Sequence, residues 1–95
     1  MALESGPLRE AQRILTRLRL DTAVVHFRIE RGILILSGRI CYPDLMGIGQ
    51  ADVNYELLHE MNRQLRLLKD VKGVEYQLIN WMYNGDGGWS KRRNR

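Results

Sequence analysis

Residues 31–40 read Arg31-Gly32-Ile33-Leu34-Ile35-Leu36-Ser37-Gly38-Arg39-Ile40. Arg31-Gly32 has the composition of a tight turn, with glycine able to take positive φ. The run that follows is apolar on both of its faces, which predicts a strand over residues 33–40 that is covered on both sides. Gly38, inside that strand, predicts a bulge or a close backbone approach.

Working backwards, residues 23–30 alternate. Val25, Phe27 and Ile29 share one face, and His26, Arg28 and Glu30 the other, which predicts an amphipathic strand paired through the turn. Further upstream, Leu8, Ala11, Ile14, Leu15 and Leu18 recur at three- and four-residue steps, with Arg9, Arg13 and Arg17 opposite. This is a helix, with Ser5 as a cap candidate and Pro7 in its first turn. Leu20-Asp21-Thr22 ends it without a glycine.

Working forwards, residues 41–51 form a loop that holds Pro43, Gly47 and Gly49 together with the apolar Tyr42, Leu45, Met46 and Ile48. A second helix starts near Asp52 or Asn54 and buries Leu57, Leu58, Met61, Leu65 and Leu68. Glu56 and Glu60 near its start and Lys69 and Lys72 near its end complement the helix dipole. After the turn at residues 70–73, residues 74–83 are predicted to be one strand. Val74, Tyr76 and Leu78 share one face, and Ile79, Trp81 and Tyr83 the other. Residues 84–88 then break structure.

The expected fold is α+β, with order α-β-β-α-β and two helices packed on one face of a three-stranded mixed sheet. The expected organisation is a flexible lead over residues 1–6, a single domain over residues 7–83, and a glycine-rich linker and basic tail over residues 84–95. Ninety-five residues suit one small core.

Charge is concentrated at the C-terminus. The chain carries 15 Lys plus Arg against 11 Asp plus Glu. Lys91, Arg92, Arg93 and Arg95 account for the whole net charge of +4, so the rest is neutral. That balance argues against a nucleic-acid binder, which places its cations on the folded surface. No apolar run approaches the about 20 residues needed to cross a bilayer. The start, Met1-Ala2-Leu3-Glu4-Ser5-Gly6-Pro7, lacks the basic and apolar regions of a secretory signal, so the expected location is cytoplasmic, with peripheral membrane association through the tail. Cys41 is the one cysteine of the chain, which rules out an internal disulfide.

Gly32-x-Leu34-x-Leu36-x-Gly38-x-Ile40, followed after a helix by Val71-x-Gly73-Val74-x-x-Gln77-Leu78, resembles the BON domain family. That family carries a Gly-x-Val-x-Leu-x-Gly-x-Val strand and a Gly-Val junction before its last strand. The resemblance covers about residues 8–82. It implies the α-β-β-α-β fold and a role in phospholipid binding or attachment to membranes. It supplies no catalytic residue. The segment over residues 41–53 is longer than the family's link into the second helix, and Gln77 stands where an apolar residue is expected.

Among chemistry-bearing residues, His26, His59 and Cys41 lie on a strand, a helix and a loop without paired spacing, whereas zinc needs three or four converging ligands. Gly85-Asp86-Gly87-Gly88 lacks the Lys-Ser/Thr and the following helix of a phosphate loop. No metal, cofactor or catalytic set is therefore expected, and the chain reads as non-enzymatic. The candidate contacts with lipid or a partner are Tyr42, Leu45, Met46 and Ile48 in the loop, Trp81 and Tyr83 on an uncovered sheet face, and Trp89, Lys91, Arg92, Arg93 and Arg95 in the tail. The expected partner is an anionic membrane surface or a protein, a second copy of the chain included. The alternative is a nucleic-acid-associated protein using the tail and the Arg9, Arg13, Arg17 stripe.

Overall fold

The computed structural model describes residues 6–47, 51–85 and 88–92. Helix α1 spans Gly6–Arg17 and buries Ala11, Ile14 and Leu15. Ser5, the cap expected from the sequence, lies outside the described residues. The helix stops without glycine. Leu20 N–H reaches back to Leu15 C=O (3.0 Å) and Arg19 N–H to Thr16 C=O (3.0 Å), while Arg19 adopts φ 68°. These two bonds and the left-handed residue between them are a Schellman motif with arginine where glycine is usual. Replacing Arg19 with glycine removes the left-handed penalty, offset in part by the entropy glycine adds to the unfolded chain. The expected net is a gain of about 0.5–1 kcal/mol, read as a rise of a few degrees in thermal midpoint. A fall in the midpoint would show that the Arg19 side chain itself supports the corner.

A 3₁₀ turn over Thr22–Val24, capped by the Asp21 carboxylate on Ala23 N–H (3.1 Å), leads into β1, Val25–Glu30. Strand β2 spans Ile33–Gly38 and pairs antiparallel with β1, Glu30 facing Ile33. Arg31 and Gly32 between them have φ of 55° and 85°. Two positive φ values in a two-residue connection match the twist of the flanking strands. Helix α2, Tyr55–Arg66, is capped by the Asn54 side chain on Leu57 N–H (2.9 Å) and buries Leu58, Met61 and Leu65. Of the two caps considered from sequence, Asn54 holds the position. Strand β3, Gly73–Leu78, lies parallel to β2, so the sheet order is β1-β2-β3.

The register puts Val25, Phe27, Ile29, Leu34, Leu36, Val74, Tyr76 and Leu78 on one face. Both helices pack there, α1 beside β1 and α2 beside β3. Fully buried Leu15, Leu34, Leu36, Leu58, Met61 and Leu65 form the centre. The α+β arrangement of two helices on a three-stranded mixed sheet is thus the observed one.

Two expectations need correction. Residues 74–83 are not one strand. The chain turns a corner at Ile79 and Asn80, and β4, Trp81–Tyr83, leaves the main sheet. The cause is the end of its partner: β2 stops at Gly38, so no ladder continues beyond Leu78. Residues 88–92, expected within the linker and tail, join the domain instead, while the other expected tail positions, 93–95, lie outside the described residues. Strand β5, Trp89–Lys91, pairs antiparallel with β4, Tyr83 facing Trp89 and Trp81 facing Lys91. Asn84 N–H to Gly88 C=O (2.9 Å) closes the connection. A hairpin satisfies the backbone groups that a strand leaving the sheet otherwise exposes.

Candidate functional site

Three segments converge where β2 and β3 end. The Asn80 side-chain amide donates to Ile40 C=O (2.8 Å) and accepts from Ile40 N–H (3.2 Å). It replaces the missing strand partner at that point. The Asn80 backbone C=O accepts from Arg92 N–H (3.0 Å), and Asp21 N–H, after the end of α1, donates to Cys41 C=O (2.9 Å). The long loop, the end of α1 and the exit of β5 therefore share one corner.

The loop over residues 41–53 is drawn together at its base by Tyr42 N–H to Ala51 C=O (3.0 Å). Tyr42 is half-buried and packs against the core, so it closes the open end of the core. Leu45 and Met46 do the opposite, at 83% and 80% exposure. The loop returns through Asp52, whose carboxylate pairs with Lys91 on β5. Arg92 follows, exposed. Of the residues singled out from sequence, Leu45, Met46, Lys91 and Arg92 thus sit on segments anchored at one end of the molecule. Ile48, Arg93 and Arg95 lie outside the described residues.

Trp81, Tyr83 and Trp89 are not on an open surface. Trp81 is 3% and Trp89 6% exposed. Tyr55 stands edge-on to Trp81 at 5.5 Å. Trp89 meets Tyr76 at 4.7 Å and Tyr83 at 5.0 Å between ring centres. Asn62 of α2 accepts from the Tyr76 hydroxyl (2.7 Å) and from Arg66 Nε (3.0 Å), and the Arg66 guanidinium lies 5.4 Å from the Tyr83 ring centre. Burial in this cluster pushes the Tyr76 phenol well above its usual pKa. The hairpin is thus folded onto the helix side of the sheet, and its aromatic residues extend the core.

The face of the sheet away from the helices is polar. His26, Arg28, Glu30, Glu75 and Gln77 are exposed there, with an Arg28–Glu30 pair (2.9 Å) and a Gln77–Glu75 hydrogen bond (3.1 Å). Ile35 is only 4% exposed on this face. Its neighbours across the two ladders are Arg28 and Glu75, and such long side chains lay their stems over an apolar residue while their heads stay in water. Trp81 and Tyr83 are therefore not on this face, and of the three residues expected to share it Ile79 is the exposed one, at 56%.

No group of three or more His, Cys, Asp or Glu able to hold a metal occurs among the described residues. His26 and His59 are exposed on β1 and α2, and Cys41 is buried. Burial raises the Cys41 thiol pKa, and the carboxylate of Asp21 adds to the effect. Because the thiolate is the nucleophile, Cys41 is expected to resist iodoacetamide at neutral pH in the folded protein and to react once urea unfolds it, read by intact mass. Rapid labelling of the folded protein would mean that the loop base opens readily. On α1, Arg9, Arg13 and Arg17 are exposed, with Arg13 held by Glu10 at 3.0 Å.

The sequence reading missed Asn80 and the pairing role of Asp52. Asn80 had a signal: it is the polar residue interrupting the run Leu78-Ile79-Asn80-Trp81. No helix among the described residues is long and apolar enough to cross a membrane. Comparison with protein-family models, with curated proteins and with solved structures yields no match.

Proposed function

We propose that this chain is a non-enzymatic binding module, of the kind the BON resemblance implies, that attaches peripherally to an anionic lipid surface. The attaching end is the corner carrying the long loop and the exit of β5. The observation that carries this reading is the shared anchoring there of the segments that hold the exposed Leu45-Met46 pair and the basic Lys91 and Arg92.

The two kinds of residue supply different terms. An apolar side chain moved fully out of water contributes about 1.5–3 kcal/mol. A cation close to an anionic bilayer contributes about 1 kcal/mol. Either alone gives marginal attachment, and stable anchoring takes two signals together. Lys91 already has Asp52 as a partner, and Arg92 beside it is exposed. The two helices and the three strands of the main sheet follow the order α-β-β-α-β that the family reading implies.

The test is co-sedimentation with vesicles of phosphatidylcholine, with and without phosphatidylserine. The full chain is expected to pellet with the anionic vesicles and to be released by salt, since exposed charges are screened. Leu45→Asp with Met46→Asp, and separately Arg92→Glu with Arg93→Glu and Arg95→Glu, are each expected to weaken binding by about tenfold or more. Full-length protein that stays in the supernatant, or variants that pellet as well as the parent, would end the proposal. Capture of an acidic protein without vesicle binding would instead favour a protein partner at the same end.

A further inference from the structure

We infer that β5 is a releasable strap: against an anionic lipid surface it parts from β4, and Trp89 moves from the core into the headgroup layer. This rests on the lipid reading above and concerns how that site is regulated.

Four observations converge on this segment. The β4–β5 sheet is separate from the main sheet, and each strand has only three residues. A two-stranded sheet of that size is marginal on its own. The indole N–H groups of Trp81 and Trp89 are both buried without a hydrogen-bond acceptor among the described residues. At most they face neighbouring rings, which accept weakly. A buried donor left unmet is unusual in a folded protein and calls for a reason. The side-chain ion pair on the strap is Lys91 with Asp52, and both side chains are about half exposed. Exposed pairs of this kind hold little, and lipid phosphate or carboxylate competes directly for Lys91. Arg92 follows directly on the same strand and is exposed, so the surface that displaces Asp52 also draws on the end of the strap.

The strap stays closed in water because Trp89 packs edge-on to Tyr76 and tilted against Tyr83. The headgroup layer changes the comparison. There an indole keeps an apolar environment for its ring and finds acceptors for its N–H. The donor that the folded core leaves unmet is met on the membrane. β4 is not released with β5, since Asn80 ties the start of β4 to Ile40 and Tyr55 covers Trp81.

The test uses the full chain with Trp81→Phe, which leaves Trp89 as the single tryptophan. Vesicles containing phosphatidylserine and a nitroxide-labelled lipid report Trp89 by fluorescence quenching, alongside pelleting. Met82 and Ser90 face each other across the hairpin, so a disulfide between Met82→Cys and Ser90→Cys locks β5 to β4. Quenching is expected in the parent, lost in the oxidised lock and regained on reduction. Asp52→Lys removes the counter-charge of Lys91 without touching either strand, and is expected to give quenching at lower lipid concentration. Protein that pellets while Trp89 quenching is the same in the parent and the oxidised lock overturns the strap and leaves the lipid reading standing. Protein that does not pellet removes both.

Discussion

Gly38→Ala is expected to cost about 3 kcal/mol or more, lowering the thermal midpoint by more than about 10 °C for a domain of this size. Gly38 sits at φ +103°, and a Cβ there falls 2.2 Å from the Val24 carbonyl oxygen and 3.3 Å from the Val25 Cα. A side chain at such a backbone angle is strained by about 1–3 kcal/mol before any contact is counted. The contact adds to this, because the obstacle is backbone and not the end of a flexible side chain. That same Val24 oxygen accepts from Arg39 N–H at 2.9 Å, and Gly38 C=O accepts from Ile79 N–H at 2.8 Å. Moving away from the clash therefore disturbs the last β1–β2 bond and the first bond of the β3 corner together. Gly73→Ala is the control. Gly73 has no positive φ, and its Cβ meets only the Ile33 Cδ1 atom, at 3.2 Å. Its effect is expected to stay within about 1 kcal/mol, since the methyl can give way and alanine lowers the entropy of the unfolded chain. Urea unfolding of the two variants decides the matter: equal midpoints would mean that the β1–β2 junction is not as tight as this geometry.

The elements that were legible in the sequence share a cause. Each has a period carried by neighbours in the chain. Val25, Phe27 and Ile29 alternate, Leu58, Met61 and Leu65 recur at helical steps, and Gly32 marks a turn, so β1, α2 and the hairpin can be read locally. The β3–β4 corner has no such signature. Apolar residues continue through Leu78, Ile79 and Trp81, and the break depends on Asn80 binding Ile40, forty positions away in sequence. Extending the alternation past that corner assigned Trp81 and Tyr83 to the wrong side of the sheet. Strand β5 is harder still, because three residues carry no period. Trp89, set between glycines and arginines, becomes a strand only because Tyr83 lies opposite it. At the candidate site, apolar composition marked the loop, but composition does not separate Tyr42, which turns inward, from Leu45 and Met46, which do not. That division follows from the Tyr42–Ala51 closure, a tertiary contact.

Trp89→Ala is expected to destabilise the protein by about 2–4 kcal/mol. The starting figure for truncating a buried tryptophan is about 3–5 kcal/mol, from lost burial and the cavity left behind. Trp89 fits that class at 6% exposure, wedged between Tyr76 and Tyr83. Removing the indole also removes a buried N–H that lacks an acceptor among the described residues, which returns about 1 kcal/mol or more of desolvation cost. Trp89→Phe separates the two contributions. It keeps a ring in the aromatic cluster and deletes the unmet donor, so its stability is expected within about 1 kcal/mol of the parent. Arg92→Ala, on the exposed residue three positions further on, is expected to change stability by less than about 0.5 kcal/mol. A chain whose last residues formed a separate tail would show no such difference, with Trp89→Ala as silent as Arg92→Ala. Equilibrium unfolding in urea distinguishes the two, because a residue that joins the domain only at β5 shifts the midpoint of the whole transition, and a residue outside it does not. The same measurement bounds the strap. Whatever Trp89 contributes in water is what an anionic surface has to exceed before β5 leaves β4.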